Sequence, residues 1–421
     1  MVGKKGILMQ RLIKHTEVHK MKKWAFAVLE ILALAIVSSS FYARMDKGQS
    51  VRVIRVPNQG IQPQVAVDNK GIVHMIYFKG DPSQGDVYYV RSKDWGAAFS
   101  SPIRVNSEQG TSVAAGTIRG ARIALGKNGR VHVAWNGSSK SSIRGPLIPE
   151  MPSNSPYNGL PMLYTRLNDA GTAFEKERNL MKLTFGLDGG GSVAADLAGN
   201  VYVAWHGKRP GDPDGEDGRG VWIARSRDGG RDFSPEARAY KETTGACGCC
   251  GLSIFAGSDG TLYILYRTAK EMVHRDIFLL VSKDDAKTFA GRLVDKWNIG
   301  ACPLSSMAFA EGPEVVAAAW QTEEQVYYAS IDPTTSQMSE AMSAPGKGKF
   351  RKYPALAVNS SGETILVWTE GTSWGKGGSL AWQVYDREGK PTGEKGTVAD
   401  VPAWSFGAAI ARPEGGFTVV Y

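Results

Sequence analysis

Cysteine is scarce in this 421-residue sequence, with only four residues, so a small scaffold held together by many disulfides is excluded. Excess charge is also scarce once the start of the chain is set aside. Residues 1–23 carry a net +6 of the formal +9, which leaves +3 for the other 398 residues. That remainder has no basic stripe with interleaved aromatic residues, so we expect no nucleic-acid partner.

The composition is otherwise that of a folded protein rich in turns. Apolar residues make up 42% and charged residues 22% of the chain, which is typical of globular proteins and not of disordered ones. Glycine is abundant at 50 residues, alongside 11 Trp and 15 Tyr. This combination favours many short strands joined by tight turns over a helical bundle.

The N-terminal segment 1–43 is predicted to be an export signal or an N-terminal membrane anchor. Its basic start is followed by an apolar run at 24–37 and by three serines at 38–40. Met21 would be a more usual signal start than Met1, and Glu30 weakens a permanent spanning helix. A cytosolic core helix is the alternative. We therefore expect an extracytoplasmic protein, periplasmic or secreted, that meets a membrane only through this segment.

One sequence pattern recurs through the rest of the chain. It consists of apolar alternation, a polar pair with glycine, and a strand that ends in an aromatic residue, which is typical of an antiparallel hairpin. The seven copies lie at 64–77, 122–135, 192–205, 253–266, 307–320, 355–368 and 409–421.

A second element, Ser-x-Asp-x-Gly-x-x-Phe, follows several hairpins. It is complete at 92–99 and 226–233, nearly complete at 282–289, and degraded around Asp169, Asp332 and Asp386. This is the Asp-box, in which the carboxylate accepts hydrogen bonds from turn amides and the aromatic residue packs beneath the hairpin. We therefore expect structural roles for its aspartates and assign them no catalysis.

These repeats predict an all-β propeller of four-stranded blades over residues 51–421, as a single domain. Seven blades are favoured, with six as the alternative. The last blade is expected to be closed by the C-terminal hairpin and an N-terminal strand at 51–56. Residues 137–160, rich in Ser, Pro and Gly, are predicted to form an insertion loop of blade two over one face.

The repeat phase also predicts which residues meet near the propeller axis. First strands begin, and second strands end, on the same face, so the polar residues at those positions should converge on one funnel. They are Arg119, Asn136, Asp188, His206, Arg267, Gln321, Arg351, Tyr353 and Glu370, together with four cysteines. Solvation of a funnel mouth is the structural alternative for any one of them.

Asp-boxes within a propeller resemble the sialidase (neuraminidase) superfamily, over about residues 51–421. The segment YPALAVNSSGETILVWTE at 353–370 is similar to a late hairpin of that family. The resemblance implies Tyr353 as nucleophile, Glu370 as its support and Asp188 as acid/base. Arg119, Arg267 and Arg351 would bind an acidic sugar, with Asn136, His206 and Gln321 as further substrate-binding residues. Ile61 stands where the family has its first arginine.

The cysteines form a separate feature, Cys247, Cys249 and Cys250 in ACGCCG and Cys302 at the same phase one blade later. All four are predicted to meet at the axis-facing rim. The motif resembles a bacterial sialidase-like subgroup with Cys-x-Cys-Cys. Two disulfides, a copper or zinc site assisted by His206 or Met307, and free or redox-active thiols are the three interpretations. No other cofactor is expected.

The sequence thus predicts an exported sialidase-like propeller that acts on glycans, as an exo-glycoside hydrolase of acidic sugars. A non-catalytic propeller that binds glycan or protein, and a cysteine-ligated metal or redox site, are the alternatives. Four tryptophans could stack on sugars, although packing between blades is the commoner use of such residues. They are Trp95, Trp222, Trp374 and Trp404.

Overall fold

The computed structural model describes residues 50–421, and Val51–Tyr421 forms one compact unit. The predicted export signal or anchor at 1–43 lies outside the described residues. No helix within residues 50–421 has the length and apolar character needed to span a membrane. The only helical segments there are two short 3₁₀ turns, Pro57–Gln59 and Lys127–Gly129.

The described chain is a seven-bladed β-propeller, as predicted. Six sheets have four strands in sequential order, and the seventh has three. The strands are β1 (Val51–Ile54), β2 (Ile61–Val67), β3 (Val73–Asp81), β4 (Gln84–Ser92), β5 (Ile103–Arg104), β6 (Arg122–Leu125), β7 (Val131–Asn136), β8 (Met162–Arg166), β9 (Arg178–Asn179), β10 (Ser192–Ala195), β11 (Val201–Gly207), β12 (Gly220–Ser226), β13 (Ala237–Arg238), β14 (Ser253–Ala256), β15 (Leu262–Arg267), β16 (Ile277–Ser282), β17 (Ala290–Asp295), β18 (Ala308–Glu311), β19 (Val316–Thr322), β20 (Gln325–Ile331), β21 (Met342–Ser343), β22 (Lys352–Val358), β23 (Thr364–Glu370), β24 (Gly378–Tyr385), β25 (Pro391–Val401), β26 (Ala408–Ala411) and β27 (Phe417–Val420).

Blades one to six take these strands in groups of four from β2 to β25, and each of the seven repeated segments forms the two innermost strands of a blade. Blade seven combines β26 and β27 with β1, which pairs in parallel with β27. The register joins Val51 to Phe417 and Ile54 to Val420. The N-terminal and C-terminal strands of the propeller therefore pair within one blade, as predicted from the sequence.

The repeated aromatic residues pack between blades. Trp135, Trp205 and Trp320, each at or near the end of a second strand, are fully buried. The packing of Trp205 shows the arrangement, because its cluster joins Tyr164 of blade two to Trp222 of blade three. Apolar alternation with an aromatic end thus supplies both the strand pattern and the contact between blades.

The three clearest Asp-box turns make the hydrogen bonds expected of a structural role. Asp94 accepts a bond from the amide of Ala98 at 2.9 Å, and Asp228 accepts bonds from the amides of Arg231 and Asp232 at 2.9 and 3.0 Å. Asp284 accepts bonds from both the amide and the hydroxyl of Thr288. The aromatic residues Phe99, Phe233 and Phe289 pack against the adjoining apolar clusters.

We call the face where first strands begin and second strands end the upper face. The predicted insertion is irregular chain between β7 and β8 and belongs to this face. Asn158, which is buried, holds it together by binding both the amide and the carbonyl of Ile148.

A channel of about 590 Å³ runs along the axis between the first strands of all seven blades. Near the upper face, Ile118 packs against Tyr353 and Phe406 and is fully buried. Its carbonyl also approaches Gly190 of blade three. The loop of blade two that carries Ile118 therefore reaches across the axis and closes the channel at this end.

Candidate functional site

Charged side chains from four loops meet on the upper face, and we call this group the charged rim. Its members are Arg119, Asp188, Glu216, Arg219 and Arg275. Arg119 donates to the carboxylate of Asp188 and, from Nε at 3.0 Å, to its carbonyl oxygen. Arg219 Nη1 lies 3.6 Å from the same carboxylate. Arg275 Nη1 lies 2.6 Å from Glu216 Oε2.

Glycines allow these loops to approach so closely. A Cβ on Gly190 would overlap the carbonyl oxygen of Ile118, and one on Gly248 would overlap the guanidinium of Arg219. The amide of Gly248 also donates to Glu216. The DGGG segment at 188–191 and the ACGCCG segment thus have glycine where another chain segment occupies the space of a side chain.

Asn136 positions this assembly and is not available to a substrate. Its side-chain amide donates to the carbonyls of Asp188 and Gly189 at 3.2 and 2.9 Å. Its oxygen accepts from the amide of Gly191 at 3.2 Å. The prediction that Asn136 contacts substrate is therefore corrected to a positioning role, since it is buried and fully engaged.

Arg267 and Gln321 were also predicted to bind substrate, and the structure buries both. Arg267 is 0% exposed and donates to the carbonyls of Arg275 and Gln321 and to the hydroxyl of Ser305. Its guanidinium stacks on Trp297 at 5.0 Å. The guanidinium therefore links two blades internally and does not face a ligand.

The predicted roles of Arg351 and Glu370 need the same correction. Arg351 is 1% exposed, donates to the carbonyls of Ala344 and Pro345, and places Nε 3.0 Å from Glu370. Glu370 also accepts from the indole of Trp368 at 2.8 Å. Glu370 thus supports an arginine that backbone carbonyls also hold in place, so the pair is structural.

Tyr353 lies beneath the Ile118 contact and is 7% exposed. Burial raises the pKa of its hydroxyl to about 12, with a smaller opposing effect from Thr117. A phenol that is to act as a nucleophile at neutral pH needs the opposite shift and access to substrate. The structure therefore does not place Tyr353 as an accessible nucleophile.

His206 is fully buried, and neither ring nitrogen has a hydrogen-bond partner. Burial lowers the pKa of the ring to about 4, and the charge of Arg219 adds to this shift. The ring is therefore neutral at pH 7. His206 lies near the rim, but its burial contradicts a role in direct substrate binding.

Three of the four cysteines form a buried group that we call the thiol cluster: Cys247, Cys249 and Cys250. Their sulfurs all lie within 4.8 Å of one another, with Cys247 Sγ 3.4 Å from Cys249 Sγ and 3.1 Å from Cys250 Sγ. These distances exceed the roughly 2.05 Å of a disulfide. Two disulfides were one of the three interpretations, and they are not formed in the described residues, where all four cysteines are free thiols.

Cys302 departs from the prediction that all four cysteines meet. It is exposed and does not join the other three sulfurs within 4.8 Å. The position of Cys302 within the blade repeat correctly predicted the face on which its backbone lies. The residue belongs to an irregular segment between β17 and β18, however, where the repeat does not determine which way a side chain points.

The thiol cluster is strongly polarised by its surroundings. Burial opposes ionisation of Cys250, but hydrogen bonds from Cys247 and Cys249 and the charge of Arg267 lower its pKa well below the usual range. The other two thiols act as donors, so their pKa values are raised. The pKa shifts have opposite directions because Cys250 accepts hydrogen bonds from the other two thiols.

Aromatic side chains border the charged rim. Trp374 is 61% exposed and makes an edge contact with Trp404 at 4.8 Å between ring centroids. A Cβ on Gly116 would lie 3.5 Å from the Trp374 ring and would also touch the guanidinium of Arg119. Of the other two tryptophans, Trp222 is buried between blades and Trp95 packs in an apolar cluster, so neither presents a platform to ligand.

Sequence reasoning missed several residues that build the site. Glu216 and Arg219 lie in the loop between β11 and β12, whose only sequence signal is a dense run of charge at 208–219. Gln62 was also missed, although its side-chain amide joins the carbonyls of Ala114 and Trp404 at 2.8 and 2.7 Å. It therefore ties the Ile118 loop to the tryptophan surface.

The fold defines the class of protein, an all-β seven-bladed propeller. The chain is similar to a Hadza microbial sialidase, with a TM-score of 0.50 and 12% identity over 78% of this chain and 66% of that one. It is similar to a Penicillium chrysogenum alpha-L-arabinanase complexed with arabinobiose, with a TM-score of 0.51 and 13% identity over 79% and 95%.

No family model and no curated protein matches the sequence. The chain spans about two thirds of the length of the sialidase that it resembles. At 12–13% identity the likeness shows the fold alone. The sialidase-like fold predicted from sequence is thereby confirmed.

Proposed function

We propose that the protein binds acidic saccharides on its upper face, at a surface formed by Trp374, Trp404, Arg119 and Asp188. The observation that carries the proposal is an exposed indole beside a partly exposed guanidinium. Sugar rings present C–H groups that pack on aromatic faces, and a sugar carboxylate is a natural partner for a guanidinium. The resemblance to saccharide-processing propellers supports the same ligand class through the fold alone.

Arg119 retains hydrogen-bonding capacity for such a ligand. Its Nε and both terminal nitrogens each donate one bond, to Asp188 and to the carbonyl of Ala115. Because a guanidinium has five N–H donors, one N–H on each terminal nitrogen remains for a ligand. Asp188 holds the fork in place and leaves a carboxylate at the surface to accept bonds from sugar hydroxyls.

Binding without hydrolysis is favoured over an exo-glycosidase. Tyr353 is buried beneath Ile118, and Glu370 is paired with Arg351. Hydrolysis through Tyr353 would require the Ile118 loop to move off the axis. A glycosidase of the predicted kind is therefore the second candidate, and its measurable signature is turnover lost on Tyr353→Phe.

The test uses calorimetric titration of the full chain with sialyllactose and, as the neutral match, lactose. We expect sialyllactose to bind more tightly than lactose. Trp374→Ala should lower the affinity for both sugars about tenfold. Arg119→Met should remove the preference for the acidic sugar. Leu197→Ser, an exposed apolar residue in the turn between β10 and β11, is the control and should change neither affinity.

Equal affinity for both sugars, or no binding by either, would contradict the proposal. Release of sialic acid by the wild type but not by Tyr353→Phe would replace it with the hydrolase. Because Trp374 is exposed, its variant should keep the wild-type thermal unfolding profile, which separates lost binding from lost folding.

A further inference from the structure

The thiol cluster has the spacing of ligands that share one ion. Two thiolates bound at about 2.3 Å to the same metal lie at most about 4.6 Å apart. Cys247 Sγ lies 3.4 Å from Cys249 Sγ and 3.1 Å from Cys250 Sγ, and all three fall within 4.8 Å. A single short loop therefore presents three soft donors that are close enough together to share one ion.

The number and type of donors select among metals. Within residues 50–421, no histidine, aspartate or glutamate joins the three sulfurs in a group with all ligand atoms within 4.8 Å. Structural zinc sites are almost always tetrahedral with four protein ligands, whereas soft thiolates also suit cuprous copper, which accepts three-coordinate geometry. Three sulfurs without a fourth donor therefore favour Cu(I).

His206 does not supply the fourth ligand. The ring lies near the cysteine loop, but its nitrogens do not join the group of ligand atoms that lie within 4.8 Å of one another. Met307, the other predicted assistant, packs in a separate apolar cluster with Trp320. Of the ligands in the copper or zinc interpretation, only the cysteine sulfurs therefore remain.

The charges around the thiol cluster are those that an anionic metal–thiolate group requires. Arg267 is fully buried, and its hydrogen-bond partners are neutral carbonyl, hydroxyl and amide oxygens. Arg275 and Lys352 also lie within electrostatic range of the cysteines. A buried guanidinium without a carboxylate is costly. Three thiolates around one Cu⁺ have a net charge of −2, which Arg267 and Lys352 together would balance.

We propose that Cys247, Cys249 and Cys250 form a three-coordinate site for cuprous copper on the upper face of the propeller. The ion binds in its reduced state, the ligand thiols release their protons to solvent, and no electron transfer is involved. Cys249, which retains slight exposure, lies on the side from which the ion enters. The site shares no residue with the proposed saccharide surface.

The test titrates the reduced full chain with Cu(I) against bicinchoninate, a competing chelator, and records X-ray absorption of the loaded protein. We expect one Cu(I) per chain with only sulfur in its first coordination shell. Cys249→Ser and Cys250→Ser should each weaken binding at least about 100-fold, because loss of a ligand exceeds the loss typical of an outer-shell partner. Cys302→Ser is the matched control and should stay within about twofold of wild type.

The competing possibilities give different results. Tetrahedral zinc bound more tightly than Cu(I) and weakened by His206→Phe would overturn the proposal in favour of a Cys₃His site. Equal weakening by Cys302→Ser would overturn the three-sulfur assignment. Failure of the reduced wild type to bind Cu(I), with its far-ultraviolet circular dichroism and unfolding midpoint unchanged from the untreated protein, would show that the cluster is structural.

Discussion

Carboxylates on the two faces of the propeller are held in opposite ways. On the lower face, Asp94, Asp228 and Asp284 accept hydrogen bonds from atoms no more than four residues away. On the upper face, Asp188 and Glu216 are held by arginines and by loops of other blades. The aspartates with local partners stabilise single turns. Asp188 and Glu216 instead place charge on a surface that several loops build together.

The difference between local and long-range contacts indicates how far the effect of a substitution should spread. A local turn loses one set of hydrogen bonds when its aspartate changes, and its neighbours are unaffected. The charged rim and thiol cluster share their supports, since the Ile118 loop, the DGGG segment and the cysteine loop touch one another. A change in one loop should therefore alter both the saccharide surface and the metal site.

The largest expected effect comes from Gly190→Ala. The new methyl group would overlap the carbonyl oxygen of Ile118, and that oxygen belongs to the backbone and cannot move alone. We expect the free energy of unfolding to fall by about 3 kcal/mol, measured by urea denaturation. Gly393→Ala, where a Cβ has no neighbour within 4 Å, should stay within about 0.5 kcal/mol of wild type. Equal losses of unfolding free energy in the two variants would show that the close contact between Gly190 and Ile118 does not matter for stability.

A smaller effect is expected for Glu216→Gln. The substitution leaves Arg275, which is buried, without its carboxylate, while the amide of Gly248 keeps an oxygen acceptor. We expect a loss of about 2 kcal/mol, reduced from the fully buried case because Glu216 is partly exposed. The control is Glu314→Gln, whose partner Arg387 is exposed, and it should change stability by less than about 0.5 kcal/mol. Similar values for the two pairs would contradict the proposed importance of burial.

The smallest effect concerns the local turns and depends on pH. Hydrogen bonds from Thr288 and Ser282 hold the pKa of Asp284 at about 2, below the 3.8 of the unfolded chain. Because the folded-state pKa is lower, this stabilisation is present above about pH 4 and is lost as pH falls towards 2. We therefore expect Asp284→Asn to flatten the acid side of the stability curve, measured by urea denaturation from pH 5 to 2. A variant of the exposed Asp214, Asp214→Asn, should keep the wild-type slope.

The contrast between local and long-range contacts also explains which predictions succeeded. The hairpins depend on residues close together in sequence, and the closing strand completes a repeat counted seven times. Their period-two alternation determines which side chains face the neighbouring blade. Repeat phase likewise placed Arg119, Asp188 and the three clustered cysteines on one face.

Repeat phase did not determine where each side chain points or what it touches. Arg267 and Arg351 occupy the predicted positions, yet carbonyl oxygens and a glutamate hold them in the interior. Cys302 lies in an irregular segment and remains exposed. Glu216 and Arg219 come from a loop without periodicity, so no sequence pattern predicts their contact with the cysteine loop.

The sequence by itself determined a β-propeller, favoured seven blades over six, and indicated the face on which its unusual polar residues gather, because alternation, turn chemistry and repetition are local properties of the chain. Only the tertiary structure decided which of those residues are exposed and which sulfurs share a site. Burial and the distance between loops of different blades depend on how all seven blades pack. The physical reason is that an arginine at the surface and one bound to buried carbonyls have the same sequence signal but opposite solvation.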